Sequence, residues 1–416
     1  MIPHLFRQEY SRMTAVLSRH FGLQHIEIAE DIASDTFLKA SEYWAVHGIP
    51  DNPTAWLYTV ARNKAKDYLK RDQLFERQIK KTLQSSNITP GHEFDFTTSI
   101  IADSQLAMIF AVCNPANSPE AQVCLALQIL CGFSVEEIAN AFLAKTETIK
   151  KRLQRARTNL RNNNFEIHDL SEAQINTRHD TVLKTLYLLF NEGYFSKTHD
   201  TLIRKDLCSE AMRLALLLIE NKLTNTPPAN ALLALFCYQS SRLDARTDHN
   251  GEAILFEEQD HSLWDQFLVN KGNTYLVAAF NKQELSKYHL EAAIAYWHTT
   301  AHDKKWQHIL QLYNQLLIFE YSPATALNRT FVFAKVYGAQ QAIPEAEKLA
   351  LGNSSYYHGL MGYLYSGINP DTAIAHYRKA ISLTGSVIEK KTLAARIALL
   401  TTNHHPGNQN QNHEHA

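Results

Sequence analysis

An all-α protein is what this sequence predicts, and three observations carry the prediction. Nearly every segment with a hydrophobic period has the helical one, with apolar residues at i, i+3, i+4 and i+7. Glycine and proline are sparse, 14 and 12 among 416 residues. No run alternates apolar and polar residues as a half-buried strand would. The length suffices for two or three domains with separate cores.

The bulk properties narrow the class. A net charge of −1 excludes a protein that coats nucleic acid through global charge, so any such contact rests on local basic patches. The five cysteines (Cys113, Cys124, Cys131, Cys208, Cys237) include no C-x-x-C pair, which argues against a zinc ribbon and fits reduced thiols. The N-terminal residues hold no apolar signal segment. The longest apolar runs, LALLLI and ALLALF, are too short to span a bilayer. A soluble cytoplasmic protein without a membrane partner is expected.

The elements follow in order. Helices fill residues 5–77. In the one spanning 27–44, Ala29, Ile32, Ala33, Phe37, Ala40 and Trp44 form the core-facing stripe, while Asp31, Asp35, Leu38 and Glu42 form an acidic stripe with one apolar anchor. Such a stripe is either an ordinary wet surface or a docking face for a basic partner helix. Asn52 and Pro53 supply an N-cap and a preset first turn. The next helix directs Leu57, Val60, Ala61, Tyr68 and Leu69 toward the core and leaves Arg62, Asn63, Lys64, Lys66, Lys70 and Arg71 outside, with Trp56 and Tyr58 beside them. Rings interleaved with cations suit unpaired nucleic acid, and core packing explains the same spacing equally well. Residues 81–99, polar and containing Pro-Gly, read as a linker.

A second helical block runs over 100–161. Ser134 and Glu137 form an S-x-x-E capping box. Ile138, Ala139 and Phe142 give that helix an apolar face. Thr146 is positioned to cap the next helix, where Ile149 and Leu153 point inward and Lys150, Lys151, Arg152, Arg155, Arg157 and Arg161 outward. A short helix, a turn and a basic second helix is the pattern of a helix-turn-helix entering the DNA major groove; a solvated basic helix is the plainer alternative. Residues 162–164 break the pattern and 165–180 read as a connector. A larger helical region follows to residue 400, punctuated by Pro227-Pro228, Pro323, Pro344 and Pro370, before a low-complexity, disordered tail.

Taken together, the acidic helix, the W-L-x-x-x-A-R-N-x-x-x-D-x-L motif from Trp56 to Leu69 and the helix-turn-helix ending T-I-K-K-R-L-Q-R-A-R resemble the sigma-70 family of RNA polymerase sigma factors, nearest its extracytoplasmic-function branch. The likeness covers residues 1–161. It implies that Asp31, Asp35, Leu38 and Glu42 contact the β′ clamp helices of core RNA polymerase, with the β flap as a second polymerase contact. It implies that Trp56, Tyr58, Arg62, Asn63, Lys66, Lys70 and Arg71 bind and open the −10 element of promoter DNA, Asn63 lying where such factors pocket an unstacked base. It implies that Thr146, Thr148, Lys150, Lys151, Arg152, Arg155 and Arg157 serve the −35 element, the last two on the backbone. Many relatives have Gly in the turn where this chain has Leu143-Ala144-Lys145.

The remainder (YLLFNEGY, LCSEAMRL, RLDARTDHNGEAILFEEQD with Trp264, SPATALNR) resembles the tetratricopeptide-like extension of a sigma-factor subgroup. That likeness implies a regulatory domain acting in place of a membrane-bound anti-sigma protein. Tyr357, Leu360, Leu364, Ala373, Tyr377 and Ala380 match one repeat, with Leu327, Phe331, Ala342 and Ala346 a looser copy. The expected organisation is 1–80 region 2, 81–100 linker, 101–165 region 4, 166–180 connector, 181–400 regulatory domain and 401–416 tail. Within the third region Arg242, Asp244, Arg246, Asp248, Asp260 and Trp264 mark a long polar loop, a candidate site for a ligand or protein partner. An EF-hand reading fails because Arg246 falls on the first ligand position. His289, His298 and His308 lack metal-ligand spacing, and no nucleotide loop or nucleophile elbow occurs. No cofactor, metal or catalysis is expected. The competing reading is a helix-turn-helix regulator whose tetratricopeptide-like domain senses a ligand or partner; a third is an enzyme domain within 181–400.

Overall fold

The computed structural model describes residues 2–80, 95–142, 144–162, 171–194, 203–248, 254, 256–281 and 285–403. Among them the chain is helical with no strand, as the periodicity predicts. It divides into two compact units, Met1–Glu192 with Ser209–Asn225, and Gly193–Cys208 with Thr226–Ala416.

The first unit opens with α1 (Ile2–Phe21), α2 (Ile26–His47) and α3 (Pro53–Lys80). The expected stripe of α2 is buried throughout. It packs with Met13 and Leu17 of α1 and Leu57, Ala61 and Ala65 of α3 into one cluster. Pro53 begins α3, and the Asn52 Oδ1 accepts the Ala55 N–H at 3.0 Å. Next come α4 (Thr98–Val112), α5 (Pro119–Leu125), a π-helical turn over Ala126–Leu130, α6 (Val135–Ala141) and α7 (Thr146–Arg161). Gln122 staples this block from within, its Nε2 donating to the carbonyls of Asn114 and Asn117 at 2.9 Å each.

Three expectations need correction. The 166–180 connector is helical from Glu172, where α8 (Glu172–Tyr194) begins. The cause is an S-x-x-Q box: Ser171 N–H donates to Gln174 Oε1 at 3.0 Å and Gln174 N–H to Ser171 Oγ at 3.3 Å. Arg178 of α8 then donates to the Phe110 carbonyl at 2.9 Å. The expected linker likewise ends early, since α4 starts at Thr98; residues 81–94 and 163–170 lie outside the described residues. Finally, Pro227, Pro323 and Pro370 each open a helix, but Pro344 sits inside one.

The second unit follows α9 (Lys205–Glu220), whose C-terminal part belongs to the first unit. It contains α10 (Pro227–Ser240), α11 (Gln266–Ala279), α12 (Lys287–Thr299), α13 (Lys305–Phe319), α14 (Pro323–Tyr337), α15 (Ala339–Glu347), α16 (Ser355–Tyr365), α17 (Pro370–Leu383) and α18 (Val387–Asn403). Thus 401–403, expected in the tail, are helical, and 404–416 lie outside the described residues. From α12 onward each helix packs on its neighbours, and the core is a series of clusters: around Ile309 and Val332, around Ala342, Ala346, Met361 and Leu364, and around Ala373, Tyr377 and Ala380. The repeat positions Leu364, Ala373, Tyr377 and Ala380 are buried, while Tyr357 and Leu360 are half-buried. Gly362 lets α16 and α17 meet, because a Cβ there would lie 2.5 Å from Tyr377 Cε1. Gly362→Ala is expected to destabilise the second unit by about 1–3 kcal/mol in urea unfolding. Gly367→Ala, with open space around its Cβ position, should cost less.

Candidate nucleic-acid and polymerase interface

The acidic stripe of α2 stands as the period requires. Asp31, Asp35, Leu38 and Glu42 are all exposed, and Leu38 is 57% exposed on a helix whose other face is core. Asp35 is joined to Lys64 of α3 at 3.1 Å, so the acidic edge of α2 borders the basic edge of α3. Beyond the stripe, Tyr43 stacks on His47 (4.1 Å between centroids) and on Trp56 (5.6 Å). The sequence reading did not single out Tyr43.

On α3, Asn63, Lys66, Lys70 and Arg71 are exposed and Arg62 is half-buried. The two aromatic candidates differ. Trp56 is half-buried, 5.3 Å from Trp44, with part of its ring at the surface. Tyr58 donates its hydroxyl to Glu9 and stacks on Phe96 at 4.8 Å. Burial, and then the Glu9 carboxylate, raise its pKa above the usual phenol range. Tyr58 is therefore an internal strut of the first unit, with its hydroxyl and one ring face occupied.

The capping box at the start of α6 forms as read: Ser134 N–H donates to Glu137 Oε2 at 2.8 Å and Glu137 N–H to Ser134 Oγ at 3.1 Å. Residues 142–145 lead into α7, with Leu143 outside the described residues. The expected cap at Thr146 needs correction. Lys145 holds the N-cap position without a side-chain bond, and Thr146 is the first helical residue. Ile149, Leu153, Ala156 and Leu160 bury one face of α7. Thr148, Lys150, Lys151 and Arg155 are exposed on the other, and Thr146 and Arg152 lie between. Lys150 pairs with Glu147 at 3.0 Å, and Arg152 Nη1 lies 3.8 Å from Cys124 Sγ.

Arg157 is the main departure. Expected to face solvent as a backbone contact, it is turned inward, with only 15% of its side chain exposed. Its Nη1 and Nη2 donate to the two oxygens of Glu30 on α2 at 2.8 and 2.7 Å, and Nε and Nη2 donate to Gln128 Oε1 at 3.0 and 2.9 Å. One turn on, Arg161 pairs with Glu27 at 3.0 Å. Burial opposes the Arg157 charge, but the Glu30 hydrogen bond and the charges of Glu30 and Glu27 raise its pKa, so the fork stays cationic. Tyr10, half-buried near Glu30, is pushed up to about 12 by its loss of water and then by the Glu30 charge. Sequence reasoning missed Glu27, Glu30 and Gln128. The available signal was spacing: two acids at i, i+3 off the α2 stripe match two arginines at i, i+4 on α7.

In the second unit the polar loop is organised by its arginines. Arg242 donates to Tyr194 Oη at 2.8 Å and lies over the rings of Phe256 (4.8 Å) and Trp264 (5.7 Å). Arg246 donates to the Tyr194 carbonyl at 2.6 Å and covers its ring at 3.8 Å. Asp244 pairs with Lys205, and Asp260 caps a short helical turn through the Ser262 N–H at 2.8 Å. Asp248 is half-buried and Trp264 buried, while 249–253 lie outside the described residues. His298 faces Phe256, and burial with the nearby Arg242 and Lys305 lowers its pKa to about 3, leaving it neutral. Among the described residues no three His, Cys, Asp or Glu side chains are grouped to hold a metal, and no helix is long and apolar enough to cross a membrane.

Removing one partner of a buried pair strands the other charge. Arg157→Ala is thus expected to lower thermal stability of the first unit by about 2–4 kcal/mol, with Lys151→Ala within about 0.5 kcal/mol of wild type.

The comparisons with known proteins fall on these elements. Residues 5–74, which span α1 to α3, match the model of Sigma-70 region 2, and residues 178–280 match a family of unknown function, DUF6596. The uncharacterized protein R00370 of Rhizobium meliloti is 31% identical over 357 residues, covering 84% of this chain and 83% of that protein. The RNA polymerase sigma factor YlaC of Bacillus subtilis is 26% identical over 163 residues, 39% of this chain and 91% of that factor. No solved structure matches. The chain belongs to the family of the Rhizobium protein and, through its N-terminal region 2, to the sigma-70 family.

Proposed function

We propose that this protein is a sigma factor of the extracytoplasmic-function type that directs core RNA polymerase to specific promoters, with a tetratricopeptide-like C-terminal domain that modulates it. The observation that carries the reading is the surface of the region 2 match. The α2 stripe Asp31, Asp35, Leu38 and Glu42 stands exposed beside the cationic edge of α3, on a helix whose opposite face is fully buried. An exposed Leu within carboxylates suits a basic partner helix, here the β′ clamp helices, with α7 and the β flap as the second contact.

On this reading Asn63, Lys66, Lys70 and Arg71, with Trp56 and the half-buried Arg62, hold and open the −10 element. Thr148, Lys150, Lys151 and Arg152 read the −35 element in the major groove, with Arg155 on its backbone. Thr146, at the first helical position, offers a backbone N–H to a phosphate. The serial packing of α12 to α18 supports the tetratricopeptide-like reading of the second unit, and the loop held by Arg242 and Arg246 supports a ligand or partner site there. The chain performs no chemistry of its own in this role.

Run-off transcription with purified core polymerase and a genomic template library tests the proposal. Promoter-specific transcripts that require the chain are expected; their absence on every template refutes it. On a promoter so found, Asn63→Ala should reduce strand opening about tenfold or more while changing duplex binding little, and Arg152→Ala should weaken duplex binding about tenfold. Equal loss of duplex binding in both variants would overturn this division of labour.

A further inference from the structure

We propose that rings and cations carried by α12 to α18 form a docking face for an acidic, aromatic peptide segment of a partner protein, and that the chain's own Phe256-Glu257-Glu258 is its tethered occupant, which the partner segment displaces. The inference rests on the reading of the Arg242 and Arg246 loop as a partner site; it does not rest on the sigma-factor reading.

Four helices each give one ring to a continuous series. His298 of α12, Trp306 of α13, Phe331 of α14 and Tyr363 of α16 follow one another with centroids 5.7, 6.2 and 5.2 Å apart. Lys335, one turn beyond Phe331 on α14, lies 5.9 Å from the Trp306 ring and 5.3 Å from each of the Phe331 and Tyr363 rings. The negative faces of the rings hold its ammonium in place. Arg242 and Arg396 of α18 supply two further cations. A fixed cation beside apolar rings is a ready partner for a carboxylate next to an aromatic residue.

The short turn Phe256–Glu258 meets this face in sequence order. Phe256 lies between the Arg242 guanidinium at 4.8 Å and the His298 ring at 4.7 Å. Glu257 pairs with Lys335, and Glu258 pairs with Arg396. Three consecutive residues therefore engage α12, α14 and α18 in turn. An aromatic residue followed by two carboxylates is the chemistry that the face accepts.

The hold on this occupant is light. Its ends are fixed by backbone: Ile254 N–H donates to the Arg246 carbonyl at 2.9 Å, and Asp265 N–H to the Ser241 carbonyl at 2.8 Å. Between them the turn closes on a long bond, Gln259 N–H to the Phe256 carbonyl at 3.4 Å. The Glu257 and Glu258 side chains are 44% and 52% exposed, so water screens both ion pairs and each contributes little. The segment owes its place mainly to its tether, which acts as an effective concentration of about millimolar. A partner segment of the same chemistry with further contacts of its own overcomes that advantage.

The experiment uses the full chain and a fluorescein-labelled peptide of sequence ILFEEQD, residues 254–260, read by anisotropy. Wild type should bind it weakly, because its own segment competes. Glu257→Lys with Glu258→Lys sets like charges against Lys335 and Arg396 and should tighten peptide binding at least tenfold. The milder Glu257→Gln with Glu258→Gln should tighten it about threefold, and serves if circular dichroism shows the reversal to be unfolded. Adding Lys335→Gln and Arg396→Gln to either variant should abolish the gain, and a peptide with lysines in place of both glutamates should not bind. No tightening in a folded glutamate variant overturns the tethered occupant. Tightening that survives the loss of Lys335 and Arg396 overturns the face, while the partner-site reading of the loop stands. Displacement of the peptide by single-stranded DNA would assign the face to nucleic acid and overturn the peptide partner. None of these outcomes depends on whether run-off transcription succeeds.

Discussion

The fork between Arg157 and Glu30 decides how the cations of α7 are divided. Without it, α7 would present an unbroken basic surface, as the sequence suggests. With it, Arg157 and Arg161 in the C-terminal half of α7 are bound to α2, while Lys151 and Arg155 stand exposed and Lys150 pairs with Glu147 of its own helix. The pair joins residues 127 positions apart and draws the N-terminal helices and the α4–α7 block into one unit. A net charge of −1 is then no obstacle to nucleic-acid binding. The charge that matters is local, and Arg157 and Arg161 spend theirs on α2.

Much of the fold was legible because helices announce themselves by period. The buried stripe of α2, its exposed acidic stripe and the capping box at Ser134 follow directly from spacing. What escaped was of two kinds. Some signals were present and unread: Ser171 and Gln174 form a capping pair that starts α8 well before residue 180. Others depend on tertiary context. Tyr58 looks like a nucleic-acid ring beside lysines, and only the approach of Glu9 and Phe96 makes it internal. Pro344 looks like a stop, yet it lies within α15.

The candidate site was legible to the same extent. Exposure of Asp31, Asp35, Leu38 and Glu42 follows from a helix that must bury its other face, so sequence alone locates the stripe. The arginines of α7 carry no such constraint. Long cationic side chains sit at either edge of an amphipathic helix, and for Arg157 and Arg161 a distant carboxylate decides which way the side chain turns. Arg242 and Arg246 illustrate the same point in the second unit, where aromatic rings rather than carboxylates receive them.

The central claim is that the α2 stripe docks on polymerase, and a photo-crosslinking residue at Leu38 tests it most directly. With core RNA polymerase and promoter DNA, the account predicts a crosslink to the β′ subunit that Asp31→Arg or Glu42→Arg abolishes. Crosslinks confined to DNA, or none with polymerase present, would contradict it and favour a regulator that acts alone.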